Sequence, residues 1–118
     1  MTNIELLKNR AKELMSTEAD FIDSIEVMLS SDKKFGLKDR QVLGMYEPLK
    51  KRITLFDVFA QGGNPEFVQD VIFPTYIHEL VHALQHRECG TIGYLLMLGL
   101  CRWKLERDAR EIEESFYK

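Results

Sequence analysis

The sequence predicts an α+β fold, with helices toward both ends of the chain and a short β region between them. Three patterns predict it. Apolar residues recur at three- and four-residue steps over the first thirty positions. A cluster of β-formers occupies 42–59, and helical periodicity returns from Pro65 onward. With 118 residues, the chain has the length of one domain, read here as 1–118. Apolar residues make up 45% and charged residues 30%, enough apolar material to offset ordering entropy and exclude a disordered chain.

The first helix is carried by Ile4, Leu7, Ala11, Leu14, Glu18, Phe21, Ile22, Ile25, Met28 and Leu29, mostly at three- and four-residue steps, with Glu5, Lys8, Lys12 and Glu13 outside. Thr2 with Glu5 fits a capping box. Ser16-Thr17 is a point where this segment divides into two helices, because both residues cap well. Ser30 to Lys34 reads as a loop. Val42 to Tyr46 and Arg52 to Phe59 read as strands joined by a turn at Glu47–Lys51, an antiparallel hairpin. Apolar groups on both faces of the second strand predict packing on both sides. Gln61–Asn64 is a loop, and Asn64-Pro65-Glu66 is a helix start. Helix is expected to Glu88, interrupted at Pro74 and closed by Gly90. A last helix is expected from Thr91 nearly to Tyr117.

Sixteen basic against nineteen acidic side chains give a net charge of −3, which offers no attraction to nucleic acid or an acidic membrane. Two cysteines, Cys89 and Cys101, are too few for a disulfide framework and read as reduced thiols. No signal peptide follows Met1, and the longest apolar run, Ile92 to Cys101, is about half of the roughly 20 residues a membrane span needs. The expectation is a soluble, cytoplasmic protein.

The chemistry lies in His78-Glu79-Leu80-Val81-His82, an H-E-x-x-H pattern on a helix. Residues four apart lie one turn above each other, so both imidazoles address the same point and can share one Zn²⁺. Glu79 is rotated about 100° from His78, beside such an ion rather than on it, where it can act as general base toward water. Shuffling this composition would yield the pattern in only ~0.005 of chains, so chance is a poor account of it. A catalytic zinc needs a third protein ligand and an open position. Glu106 on the following helix, Glu88 and His86 are the candidates, and Glu106 is preferred because a helical return brings it back over the histidines.

These residues, with Glu106 and Ala109 three positions on, resemble the gluzincin metallopeptidases. The short chain is similar to their minimal single-domain members, the minigluzincins. The hairpin Leu43-Gly44-Met45-Tyr46-Glu47-Pro48 to Arg52-Ile53-Thr54-Leu55 is similar to that of small zincin-like proteins. The resemblance covers roughly residues 40–115. It implies a zincin-like arrangement: a backing helix, a small twisted antiparallel or mixed sheet, an active-site helix and a C-terminal glutamate helix. It also implies Zn²⁺ on His78, His82 and Glu106, Glu79 as catalytic base, and endopeptidase cleavage of a peptide or protein lying along the sheet edge. Latency through a terminal segment or a homodimer is a further implication. The chain departs from the family in having Arg110, not an acid, after Ala109.

Tyr94, Tyr76, Tyr46 and His86 are all candidates for stabilising a developing oxyanion. Ile92–Cys101 reads as core or half interface, its two glycines allowing close approach, and Trp103 as a packing residue. Ser115–Lys118 is apolar enough to dock near the cleft. A zinc-stabilised binding or assembly module without turnover, and a metal-free helical protein, are the competing readings.

Overall fold

A computed structural model describes residues 3–35, 41–56, 66 and 68–117. Helix α1, Asn3–Leu14, buries Leu7 and Ala11 and presents Glu5 and Leu6 to solvent. A 3-10 turn at Ser16–Glu18 leads into α2, Ala19–Ser24, so the division at Ser16-Thr17 holds. The helix does not continue to residue 30. Ile25 takes extended backbone (φ −92, ψ 119), and Glu26–Leu29 forms strand β1. Ile25, Val27 and Leu29 alternate with exposed Glu26 and Met28, and that period of two prevails over the helical spacing of the same apolar residues.

Two short strands, β2 (Lys34–Phe35) and β3 (Gln41–Val42), pair antiparallel within and beyond the segment read as loop. The expected hairpin is present as β4, Gly44–Glu47, and β5, Arg52–Leu55, with Tyr46 opposite Ile53 and Glu47 opposite Arg52. β1 joins β5 in parallel, giving a three-stranded mixed sheet of order β1-β5-β4. β5 buries only one face. Ile53 and Leu55 enter the core, while Arg52 and Thr54 are half-exposed and bond Glu47 at 2.7 and 3.3 Å. Packing on both sides is therefore not observed over Arg52–Leu55. The strand ends at Leu55, short of Phe56; positions 57–59 of that predicted strand, the loop at 61–64, the helix start at Asn64-Pro65, Thr2 of the capping box and Lys118 lie outside the described residues.

A π-helical turn, Val68–Ile72, runs into α3, Phe73–Leu100. The interruption at Pro74 takes the form of this change of helical register, since proline offers no N–H to continue one ladder. Gly90, with φ 75 and ψ 166, breaks α3 where a glycine stop was expected. The segment before the break is buried nearly all round, from Tyr76 to His86. Ile77, Leu80, Ala83 and Leu84 join Leu7, Ala11, Ile22, Val27, Ile53 and Leu55 in the core. Fully burying each of the larger aliphatic side chains contributes about 1.5–3 kcal/mol.

The final helix is not continuous from Thr91. It ends at Leu100, Cys101 leaves the helical region (φ −138, ψ 44), and α4 spans Arg102–Tyr117. The break matters because it lets the chain double back: residues 105, 106 and 113 meet 85, 82 and 78, an antiparallel crossing. The intervening arm is less buried than expected. Tyr94 is buried, but Ile92, Leu95, Leu96 and Leu100 are exposed. No close approach depends on its glycines, since a Cβ at Gly93 would meet only Cys89 at 3.4 Å and one at Gly99 nothing within 4 Å. Trp103 is exposed, with the Arg107 guanidinium 5.1 Å from its ring centre. No helix among the described residues is long and apolar enough to cross a membrane.

Candidate metal centre

α3 presents His78 and His82 one turn apart, and the antiparallel crossing of α4 brings Glu106 to both. His78 Nε2 lies 3.2 Å from His82 Nε2 and 3.1 Å from Glu106 Oε2, and His82 Nε2 lies 3.3 Å from Glu106 Oε1. The two rings are nearly perpendicular, at 86°. One ligand atom from each residue falls within 4.8 Å of the others, so the three can hold a metal ion. Glu88 is exposed and ion-paired with Arg87, and His86 faces elsewhere, so neither joins the group.

The far side of each imidazole is fixed. Glu113 Oε2 lies 3.1 Å from His78 Nδ1. A carboxylate only accepts, so Nδ1 donates to Glu113, and in the metal-free chain Nε2 donates to Glu106. Gln85 Oε1 lies 2.8 Å from His82 Nδ1, while Gln85 Nε2 donates to the Leu105 carbonyl at 3.0 Å. That carbonyl demands a donor, which settles which way the Gln85 amide points and hence which nitrogen of His82 is protonated. Once the His78 Nε2 proton is removed, two imidazole lone pairs and a carboxylate converge on one point. Such a set attracts a metal or, failing that, a proton. In the metal-free chain Glu106, then Glu113, pushes His78 up to about 9, and the two histidines hold Glu106 far below the usual carboxylate range.

Gln85 and Glu113 carry no signature in the sequence. Gln85 follows His82 by three, and Glu113 follows Glu106 by seven, two turns along the same face, but either spacing acquires meaning only once α4 is known to cross α3.

Glu79 is buried beside the cluster and belongs to no ligand pair. Burial raises its pKa, against the opposing pull of His82 and His78, and the Tyr46 backbone N–H donates to its carboxylate. Gly44 of β4 makes that approach possible: a Cβ there would lie 2.7 Å from Thr75 Cγ2 and 3.4 Å from Glu79 Cγ. An open cleft of about 430 Å³ borders His78 and Glu79, with Leu43 and Gly44 from the sheet side and Arg110 and Glu113 from α4.

Of the four candidate oxyanion donors, Tyr94 is the one whose hydroxyl feels both Glu79 and Glu106, which together with burial raise its pKa. The Tyr46 hydroxyl lies 2.6 Å from His86 Nδ1, and His86 Nε2 lies 2.9 Å from Thr91 Oγ1, a chain that ties β4 to the start of the arm. Tyr76 is fully buried, its hydroxyl has no hydrogen-bond partner among the described residues, and burial, then Asp23, raises its pKa. Cys89 and Cys101 are both free thiols. The C-terminal segment extends α4 to Tyr117, with Phe116 packed against the core rather than docked as a separate tail. Comparison with protein-family models, curated proteins and solved structures returned no match.

Proposed function

We propose that this chain is a zinc-dependent metallopeptidase of gluzincin type. The observation that carries the reading is the convergence of His78 Nε2, His82 Nε2 and the Glu106 carboxylate, with a fourth, buried carboxylate, Glu79, beside them and outside the ligand set. Two imidazoles and one carboxylate are a donor set of catalytic zinc, leaving an open position for water or substrate. The mixed sheet, with its antiparallel β4–β5 pair, followed by the histidine helix and a glutamate helix, agrees with a zincin-like order.

When bound, Zn²⁺ would supply a Lewis acid that eases deprotonation of water and polarises the scissile carbonyl. His78, His82 and Glu106 would hold it. Glu113 and Gln85 keep both rings in the tautomer that leaves Nε2 free. Glu79, made more basic by burial, takes the proton from the attacking water and returns it to the leaving amine. The Tyr46 N–H orients that carboxylate, and the cleft along Leu43 and Gly44 admits a peptide.

A zinc-stabilised binding module is the second reading. Its support is the depth of Glu79, 9% exposed, and the backbone donor already engaging its carboxylate. Zinc stoichiometry and hydrolysis of a peptide library, with and without chelator, separate the two. The peptidase reading expects one zinc per chain and chelator-sensitive cleavage. Glu79→Gln should retain zinc within a few fold and lower turnover by about 10²–10⁴. Undiminished cleavage by that variant would remove Glu79 from the mechanism, and zinc binding with no cleavage of any peptide would favour the module.

A further inference from the structure

The cleft beside His78 and Glu79 is lined on its α4 side by Glu113 and Arg110. Their situations differ. Glu113 is committed to His78 Nδ1 at 3.1 Å. Arg110 is exposed, and no hydrogen bond or ion pair engages its guanidinium among the described residues. It is the one Lys or Arg among the described residues lining this cleft. An unpaired guanidinium is a planar fork suited to a carboxylate, which it can grip through two parallel N–H···O bonds.

The placement sets a register. Arg110 follows Glu106 by four residues, a rise of about 6 Å along α4. An extended peptide advances about 3.3 Å per residue. For a peptide running alongside α4, a carboxylate on Arg110 would then lie one or two residues from a bond held at the metal centre formed with Glu106. We infer that Arg110 is a specificity residue that captures a substrate carboxylate one or two residues from the scissile bond. This inference rests on the peptidase reading and narrows its substrates to peptides carrying a carboxylate at that distance, either the chain terminus or an acidic side chain.

The test uses one acetylated apolar hexapeptide in three forms: free acid, C-terminal amide, and amide with a glutamate near the C-terminal end. Zinc-loaded wild-type chain is assayed for kcat and KM, with products sized by mass spectrometry. Zinc-loaded Glu79→Gln is titrated with the same peptides by calorimetry, which reads binding without turnover. A preference of about tenfold or more for a carboxylate-bearing form is expected, expressed mainly in KM and Kd. Preference for the free acid, with loss of one or two C-terminal residues, assigns the terminus. Preference for the glutamate amide assigns a side chain. In either case Arg110→Gln should bring the acid-to-amide ratio close to one, and Arg110→Lys should restore part of it. Equal handling of all three forms by a wild-type chain that cleaves them would overturn the inference and leave the peptidase reading standing. A carboxylate preference in binding that Arg110→Gln abolishes, with no cleavage of any form, would overturn the peptidase reading and with it the specificity role, leaving Arg110 as a carboxylate anchor only.

Discussion

Gln85→Leu separates the two duties of one buried amide. In the native chain Gln85 Oε1 accepts from His82 Nδ1 at 2.8 Å, and Gln85 Nε2 donates to the Leu105 carbonyl at 3.0 Å. Leucine keeps approximate volume and helix propensity but deletes both bonds. The Leu105 carbonyl, which helix geometry also pairs with the Ala109 N–H, then loses its second donor, at a cost of about 0.5–1.5 kcal/mol to the metal-free fold. His82 loses the partner that fixes its tautomer, so zinc affinity should fall about 10–100-fold, equivalent to roughly 1.4–2.7 kcal/mol. Gln85→Glu keeps an acceptor for Nδ1 and loses only the donor. It should destabilise the metal-free chain while leaving zinc affinity at or above the native level. Urea unfolding without metal reads the first quantity, and competition with a chromophoric chelator at pH 7 reads the second. Native zinc affinity in Gln85→Leu would refute the claim that this hydrogen bond holds the ring. Equal loss of zinc in both variants would show that the Leu105 bond, not the His82 bond, is what matters.

Saturating zinc at a hundredfold excess over its Kd should add about 2.7 kcal/mol, raising Tm by roughly 10 °C, and chelator should reverse it; an unchanged melting curve would count against any metal here. The metal-free chain should lose stability between pH 6.5 and about 9, because Glu106 and Glu113 hold the His78 proton to about 9 against an ordinary 6.5. That contribution is complete below 6.5, decays as the unfolded chain sheds its proton first, and is gone above 9. Zinc-saturated protein should not show this decline, since the ion replaces the proton, and parallel pH profiles in the two forms would contradict the assignment. Gly44→Ala should cost about 1–3 kcal/mol by forcing a Cβ to within 2.7 Å of Thr75 Cγ2. Pairing it with Thr75→Ser, which removes that methyl and keeps the hydroxyl on the Val71 carbonyl, should recover much of the loss in urea titrations.

The sequence was most informative where the physics is local. His78 and His82 are one turn apart on any helix, so their convergence needs no tertiary knowledge. Glu106 was legible as a carboxylate on a returning helix, although the return depends on a break at Cys101, a residue that is itself neither proline nor glycine. Ile25 to Leu29 fit both a helical face and an alternating strand. Pairing with β5 decided the matter, and a partner more than twenty residues away is invisible to periodicity. Gln85 and Glu113 lay beyond reach for the same reason, being ordinary polar residues until two helices cross. The arm at 91–100 misled in the other direction, because apolar composition states what water disfavours but not what is there to cover it.

α4 is fastened to the rest of the molecule by little grease. Among the described residues Leu105 and Ala109 are its buried side chains, with Phe116 partly so, and its polar attachments include Glu106, Glu113 and the Leu105 carbonyl. An ion shared between α3 and α4 would act as a rivet through both. Filling the site and clamping down the last sixteen-residue helix then become a single event. Amide hydrogen exchange along Arg102–Tyr117 would consequently serve as a gauge of how much of the protein is loaded, readable in a sample that is turning over nothing.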